Sequence, residues 1–380
     1  MIGARRLSRV QYRVRPKAAP TERGTPVRKH LLIVLVSTLL LSGCSALLER
    51  EYSHVTTHNA VPATEGDPSI LRADSYQELV NALIYFVNGG VEAGTVRLYT
   101  DTENVEPFLA DACLEVVQED PLGAYCVEFI KYSVDPVVTY SQAQVDITYR
   151  RTREQVASIV QATGVTAIRS ELESALASFA PERVLRISYF EENEAFIQNL
   201  ARQAYYDAPA FALGMPEISV SIYPKSGRQR IVEIRLDYPL DLSELEKRQN
   251  ALSDVLEELA WDLTGQPRLP QTAANTLMGL GRYDPQGGGT VWDLFDAKRA
   301  NSEGLALAYA ALCQQLELPC QVVQGTLEEE PHFWNVVQTS EGYRHIDLSN
   351  LDGEDGPLYT DQQFAELGRT WDESSLPPCI

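Results

Sequence analysis

The chain has 380 residues, 44% hydrophobic and 22% charged, with 23 Gly and 21 Pro. That balance is globular: it excludes collagen-like, low-complexity and wholly disordered chains and, at about 150 residues per domain, predicts two or three domains with cores of their own. A formal charge of −21 repels phosphate backbones, which argues against nucleic acid as a partner.

The charge is uneven. Residues 1–43 carry nine basic groups, from Arg5 to Lys29, against one acid, Glu22; residues 44–380 carry 23 basic and 52 acidic groups, a net of −29. Residues 31–41, LLIVLVSTLLL, form an 11-residue apolar run, too short to span a bilayer core of about 30 Å. Arg28, Lys29 and His30 precede it and small residues follow, the order of a secretory signal peptide. The junction Leu41-Ser42-Gly43-Cys44 resembles the bacterial lipobox. That resemblance implies that Cys44 is diacylated, becomes the first residue of the mature protein, and anchors it to the extracytoplasmic face of a bacterial membrane. Residues 44–73 lack apolar periodicity and read as a flexible linker.

Export permits disulfides. Cys113, Cys126, Cys313, Cys320 and Cys379 are the candidates; five is odd, so one thiol stays free or the bonding is incomplete. Cys113 with Cys126 is one local pairing, and Cys379 can reach for Cys320 or Cys313; spacing does not choose. With no CxxC and no HExxH, neither a metal site nor a cofactor is expected.

From Ser75 the pattern becomes regular. Leu79, Val80, Leu83, Ile84 and Phe86 share a helical face, Gly89-Gly90 stops it, and 95–99 reads as a strand. A helix follows over about 104–118. Strands at 127–134 and 138–150 are joined by a turn at Asp135-Pro136, and a short helix is expected near 153–161. The same order returns: a helix face of Leu172, Leu176 and Phe179, a strand at 184–189, a helix at 194–206, and a hairpin of 218–223 with 230–238 across Pro224-Lys225-Ser226-Gly227. Residues 74–163 and 164–262 are therefore predicted as two tandem αβαββ units. Tyr149, Arg150, Arg151 and the pair Tyr205-Tyr206 read as packing or solvated residues.

The register changes over 263–380. A helix closes at Leu277 and Leu280, and Gly287-Gly288-Gly289 follows without the Lys-Ser/Thr of a phosphate loop. Asn301-Ser302-Glu303-Gly304 opens a helix to Leu316, with either Asn301 or Ser302 suited to the N-cap. Strands are expected at 320–325, 332–337 and 343–348, with an acidic loop, Glu328-Glu329-Glu330, between the first two.

Here the chain resembles the transglutaminase-like family, whose domains have the papain-like cysteine fold. The family pattern is Gly-x-Cys-x-Gly-Tyr-Ala opening a helix, Gly-Ile-Pro closing it, a strand ending in Gly, His-Ala-Trp-Asn on a second strand and an Asp on a third. This chain reads NSEGLALAYAALCQQLELPCQVVQG, HFWNVV and YRHIDLSN, so Gly304, Ala306, Pro319, Gly325, His332, Trp334, Asn335 and Asp347 fall in place. Tyr283-Asp284 matches a frequent upstream pair, and the tail FAELGRTWDESSLPPC is similar to that of bacterial lipoproteins in the family. The resemblance covers about 264–380 and predicts, overall, an α+β chain of two αβαββ units and a papain-like α+β domain.

The nucleophile position holds Ser302 where the family has Cys; Leu305 and Leu318 also depart from the pattern. A Cys at a helix N-terminus beside a His ionises, because the dipole and imidazolium stabilise the thiolate; a hydroxyl gains no usable anion there and needs a base during attack. Cys313 is eleven residues further along the helix, about 16 Å at about 1.5 Å per residue, too far for proton transfer over roughly 3 Å. The expectation is a membrane-anchored lipoprotein with a degenerate transglutaminase-like domain, a non-catalytic binding or assembly module for extracellular protein or peptidoglycan peptide. The alternative is a Ser-His-Asp protease or amidase, with Ser302 as nucleophile, His332 as base and Asp347 orienting it. Trp334 and Asn335 are the candidate binding residues, and Trp334 also suits a packed aromatic.

Overall fold

The first sheet forms because short apolar stretches alternate with amphipathic helices. In the computed structural model, which describes residues 62–64, 67, 69–100, 104–351 and 356–380, it begins with β1 (Ala63–Thr64) and β2 (Ile70–Ala73). Then come α1 (Tyr76–Asn88), β3 (Ala93–Leu98), α2 (Val105–Gln118), α3 (Pro121–Cys126), β4 (Val127–Val137) and β5 (Tyr140–Tyr149). Residues 1–43 and Cys44 lie outside the described residues. The order is β1-β2-β3-β5-β4; β2 and β3 are parallel, and β5 runs antiparallel to both β3 and β4. Ser75 caps α1 by accepting from Glu78 N at 3.3 Å, and the stripe Leu79, Val80, Leu83 and Phe86 is fully buried against Val96 and Val145.

A second set repeats these pairings. It comprises α4 (Arg153–Ala157), β6 (Val160–Ala162), α5 (Val165–Ala177), β7 (Glu182–Ser188), α6 (Glu194–Asp207), β8 (Glu217–Tyr223) and β9 (Gln229–Asp237). The order is β6-β7-β9-β8, with β6 parallel to β7 and the remaining pairs antiparallel.

Several details differ from the sequence reading, β1 and α3 among them. Each set contains a short strand, β2 or β6, that was not expected, β2 lying within the segment read as linker; four and three residues are too few to display alternation. The helix expected near 153–161 is α4 alone, closed at Ser158 before β6. The hairpin of β4 and β5 turns at Val138-Thr139, with Val137 paired to Tyr140, so Asp135 and Pro136 lie inside β4. Pro136 is tolerated because β4 is an edge strand and needs no outward N–H partner.

The C-terminal region contains α7 (Leu242–Leu263), α8 (Leu269–Leu280), β10 (Arg282–Gly288), α9 (Val291–Asp296), β11 (Arg299–Ala300) and α10 (Ser302–Gln315). It continues with β12 (Cys320–Leu327), β13 (Glu330–Thr339), β14 (Gly342–Ile346), α11 (Asp361–Glu366) and β15 (Arg369–Thr370). An antiparallel sheet, β14-β13-β12-β15, stands against α10, whose residues Gly304 to Cys313 are all buried. One continuous core joins the second set to this region, from Leu172 and Leu185 through Leu252 and Leu277 to Leu307. Successive residues of β13 feed opposite faces: Val337 enters that core, while Trp334 and Val336 enter a smaller cluster with Phe364 and Cys379. Among the described residues no helix is long and apolar enough to cross a membrane.

Candidate functional site

The first turn of α10 is held from below. Asn301 N donates to Gly288 O at 3.0 Å, and a Cβ on Gly304 would lie 2.8 Å from Gly288 O and 2.9 Å from Thr290 O. Only glycine lets the end of β10 come this close. Asn301 caps the helix, its Oδ1 accepting from Gly304 N at 3.0 Å. Ser302 is thus the first helical residue, and its hydroxyl is left out of the capping. The main-chain N–H groups of Ser302 and Glu303 have no partner among the described residues, the usual state of a first turn.

Strand β13 brings His332 alongside. Phe333 N donates to Ser302 Oγ at 3.3 Å, and no hydrogen bond joins Ser302 to His332 among the described residues. His332 Nε2 lies 2.9 Å from Asp347 Oδ2, on the segment that leaves β14. Ser349 supports that contact, its Oγ lying 2.6 Å from Asp347 Oδ1 and 3.2 Å from His332 Nε2. The other ring nitrogen, Nδ1, has no hydrogen-bond partner among the described residues. Ser302, His332 and Asp347 are therefore neighbours, with the histidine–carboxylate bond made and the serine–histidine bond not made.

Two groups the sequence reading missed complete the site. Arg369, on β15, donates to Asp347 Oδ2 from Nη2 at 2.6 Å and from Nε at 3.2 Å, and its guanidinium stacks 4.5 Å from the Phe364 ring centroid. Burial pushes the Asp347 carboxyl up, but hydrogen bonds from His332, Ser349 and Arg369 outweigh it, and the net effect holds the group below its usual range. Tyr206, read from sequence as packing, donates to Glu303 Oε1 at 2.8 Å and lies 5.8 Å from the Phe333 ring. Burial raises the Glu303 carboxyl, with the Tyr206 bond opposing it.

Trp334 and Asn335, the expected binding residues, point inward. Asn335 is 1% exposed; its Nδ2 donates to Ala306 O at 3.0 Å and ties β13 to α10. Trp334, also 1% exposed, donates from Nε1 to His345 Nδ1 at 3.0 Å.

The buried His345 and Cys379 and the part-exposed Asp361 bring their ligand atoms within 4.8 Å of one another, but their hydrogen bonds do not suit a metal. An indole N–H only donates, so His345 Nδ1 must accept and the ring proton sits on Nε2, facing Asp361 Oδ1 at 2.8 Å. Metal binding at Nε2 would have to displace that proton. The other Asp361 oxygen accepts from Cys379 N at 2.9 Å.

The expected disulfides are corrected: Cys113, Cys126, Cys313, Cys320 and Cys379 are all free thiols. Cys379 sits in the small cluster while Cys313 and Cys320 belong to the large core on the opposite face of β13. Burial pushes the Cys113, Cys126 and Cys379 thiols up to about 12, so none is a nucleophile at neutral pH.

No protein-family model matches the chain, and no curated protein matches it. Several solved structures are similar to it, among them the following three. One, described as a TGase, is 15% identical, covers 50% of this chain and 57% of its own, and gives a TM-score of 0.23. A candidate cysteine protease from Cytophaga hutchinsonii is 12% identical over 43% of this chain and 69% of its own, with a TM-score of 0.24. A candidate protease from Parabacteroides distasonis is 8% identical over 70% of this chain and 44% of its own, with a TM-score of 0.21. The match thus spans only 57% of the first structure's length. Likeness at this level carries no chemistry, and the reading of the site rests on its own residues.

Proposed function

We propose that the chain is an exported lipoprotein, anchored through Cys44, whose C-terminal region is a degenerate transglutaminase-like module that binds extracellular protein or cell-wall peptide without turning it over. The observation that carries this reading is the partner of the Ser302 hydroxyl, which is Phe333 N rather than His332. A serine nucleophile needs its base within about 3 Å. Arg369 adds to the argument, because a carboxylate already paired with a guanidinium has less charge to offer an imidazolium. The two sets of helices and strands, alike in strand order and sense, are read as tandem units that hold this module away from the membrane.

The test is direct. Amidase, protease and amine-crosslinking assays should be blank and unaltered by Ser302→Ala, and Cys44→Ser should release the protein from the membrane fraction. Turnover that depends on Ser302 would falsify the non-catalytic reading; a Cys44→Ser variant that stays on the membrane removes the anchor.

A Ser-His-Asp hydrolase is the second reading. The formed His332–Asp347 bond and the unpartnered Nδ1 favour it, since a rotated Ser302 hydroxyl would meet an oriented base. Fluorophosphonate labelling of the parent, lost in Ser302→Ala, would establish it.

A further inference from the structure

Strand β12 has an open edge beside the site. β13 pairs along the whole of one side, whereas β15 pairs on the other only at Thr326 and Leu327. The register fixes what that edge presents. Gln338 N donates to Pro319 O at 2.9 Å, and hydrogen-bonded pairs in an antiparallel ladder recur at every second residue. Gln321, Val323 and Gly325 therefore turn their main-chain groups to β13, and Val322 and Gln324 turn theirs outward. Among the described residues those outward groups have no partner.

A cavity of about 450 Å³ runs along this edge. It touches the consecutive residues Gln321, Val322, Val323 and Gln324. A pocket on a sheet face would meet alternate residues, so this one follows the strand's edge. Its far wall is α6, with Asn199, Gln203 and Tyr206. Arg169 and Arg202 are balanced by Asp207 and Asp372, although residues 44–380 carry a net of −29.

We propose that this cleft takes an extended, uncharged peptide, added to β12 as a further strand through the main chain of Val322 and Gln324. Only an extended peptide offers donors and acceptors at the two-residue repeat of that edge. The lining carries no net charge to draw a charged segment, and carboxamides on both walls both donate and accept. Four residues of strand span about 13 Å, the stretch from Gln321 to Gln324. Tyr206 lines the cleft and donates to Glu303, the residue after Ser302. The inference rests on the binding function proposed above and names where and how the peptide is held.

The test uses the full chain and a capped hexapeptide of alternating alanine and glutamine. Binding is expected to slow hydrogen exchange at the Val322 and Gln324 amides. Val322→Pro should weaken binding about tenfold, because it removes an outward donor and leaves the ladder to β13 intact. Val322→Thr keeps the N–H and should bind like the parent. A fully N-methylated hexapeptide should not bind the parent, a control that needs no variant to fold. Unaltered binding to Val322→Pro, binding of the methylated peptide, or no binding of the hexapeptide each overturns strand addition. The non-catalytic reading is judged separately, by the turnover assays.

Discussion

Arg369 lies against Asp347 with Nη2 2.6 Å from Oδ2 and both side chains buried, 2% and 1% exposed. The same oxygen lies 2.9 Å from His332 Nε2. One carboxylate oxygen thus serves a guanidinium and an imidazole, and the bond that orients the histidine is shared with one that ties β15 to the end of β14.

Breaking this pair from one side should be costly. Arg369→Leu leaves a buried carboxylate without its cation, for which the expected loss is about 3–5 kcal/mol of unfolding free energy. Urea denaturation at neutral pH measures it. Combining Arg369→Leu with Asp347→Asn should recover a large part of the loss, because no uncompensated charge remains. A loss in the single variant below about 1 kcal/mol would mean that the pair is held as loosely as a surface one.

Acid should weaken the fold in two stages. Burial, the largest influence, lowers the His345 pKa, with Asp361 opposing it. The native state therefore binds fewer protons than the unfolded chain, and this stabilisation is lost as pH falls from about 6.5 toward the depressed value. Asp347 has the same sign and a lower window: its contribution is present above the unfolded value near 3.9 and fades below it. His345→Gln should flatten the first stage in urea titrations from pH 7 to pH 4; an unchanged slope there would remove His345 from the account.

Much of the scaffold was legible because burial imposes a period. The stripe of α1 follows from apolar spacing alone, whereas the pairing of His332 with Asp347 rests on the family resemblance and not on any period: HFWNVV shows no alternation. What escaped was set by long-range contact. Arg369 sits on a two-residue strand with no period to betray it, 22 residues from Asp347. Tyr206 is 97 residues from Glu303, and nothing local separates a packed tyrosine from one that donates into a site. Asn301 and Ser302 have similar cap preference; Gly288 O, by fixing Asn301 N, places the helix start.

A thiol at the nucleophile position tests whether the frame survives. The Ser302→Cys side chain would stand at the first residue of a 14-residue helix, with His332 on the facing strand. Its pKa is expected below the ordinary value of about 8.5, since the helix terminus and a nearby imidazolium both favour the anion. The pH dependence of iodoacetamide alkylation reads this directly. Titration at the ordinary value or above means that the surroundings no longer stabilise a thiolate.

Glu303 gives the opposite sign. Burial raises its pKa and the Tyr206 bond offsets only part of that, so the native state binds more protons than the unfolded chain. Stability is therefore lost as pH rises through the raised value. The helix N-terminus opposes this by favouring a negative charge, an effect of about 0.3–1 kcal/mol, but the net rise in pKa means that burial wins. Glu303→Gln keeps an acceptor for Tyr206 and carries no charge. It should unfold at a higher temperature than the parent at pH 7, with the difference vanishing near pH 4, where the unfolded carboxyl is also largely protonated. An equal difference at both pH values would mean that ionisation of Glu303 is not what separates them.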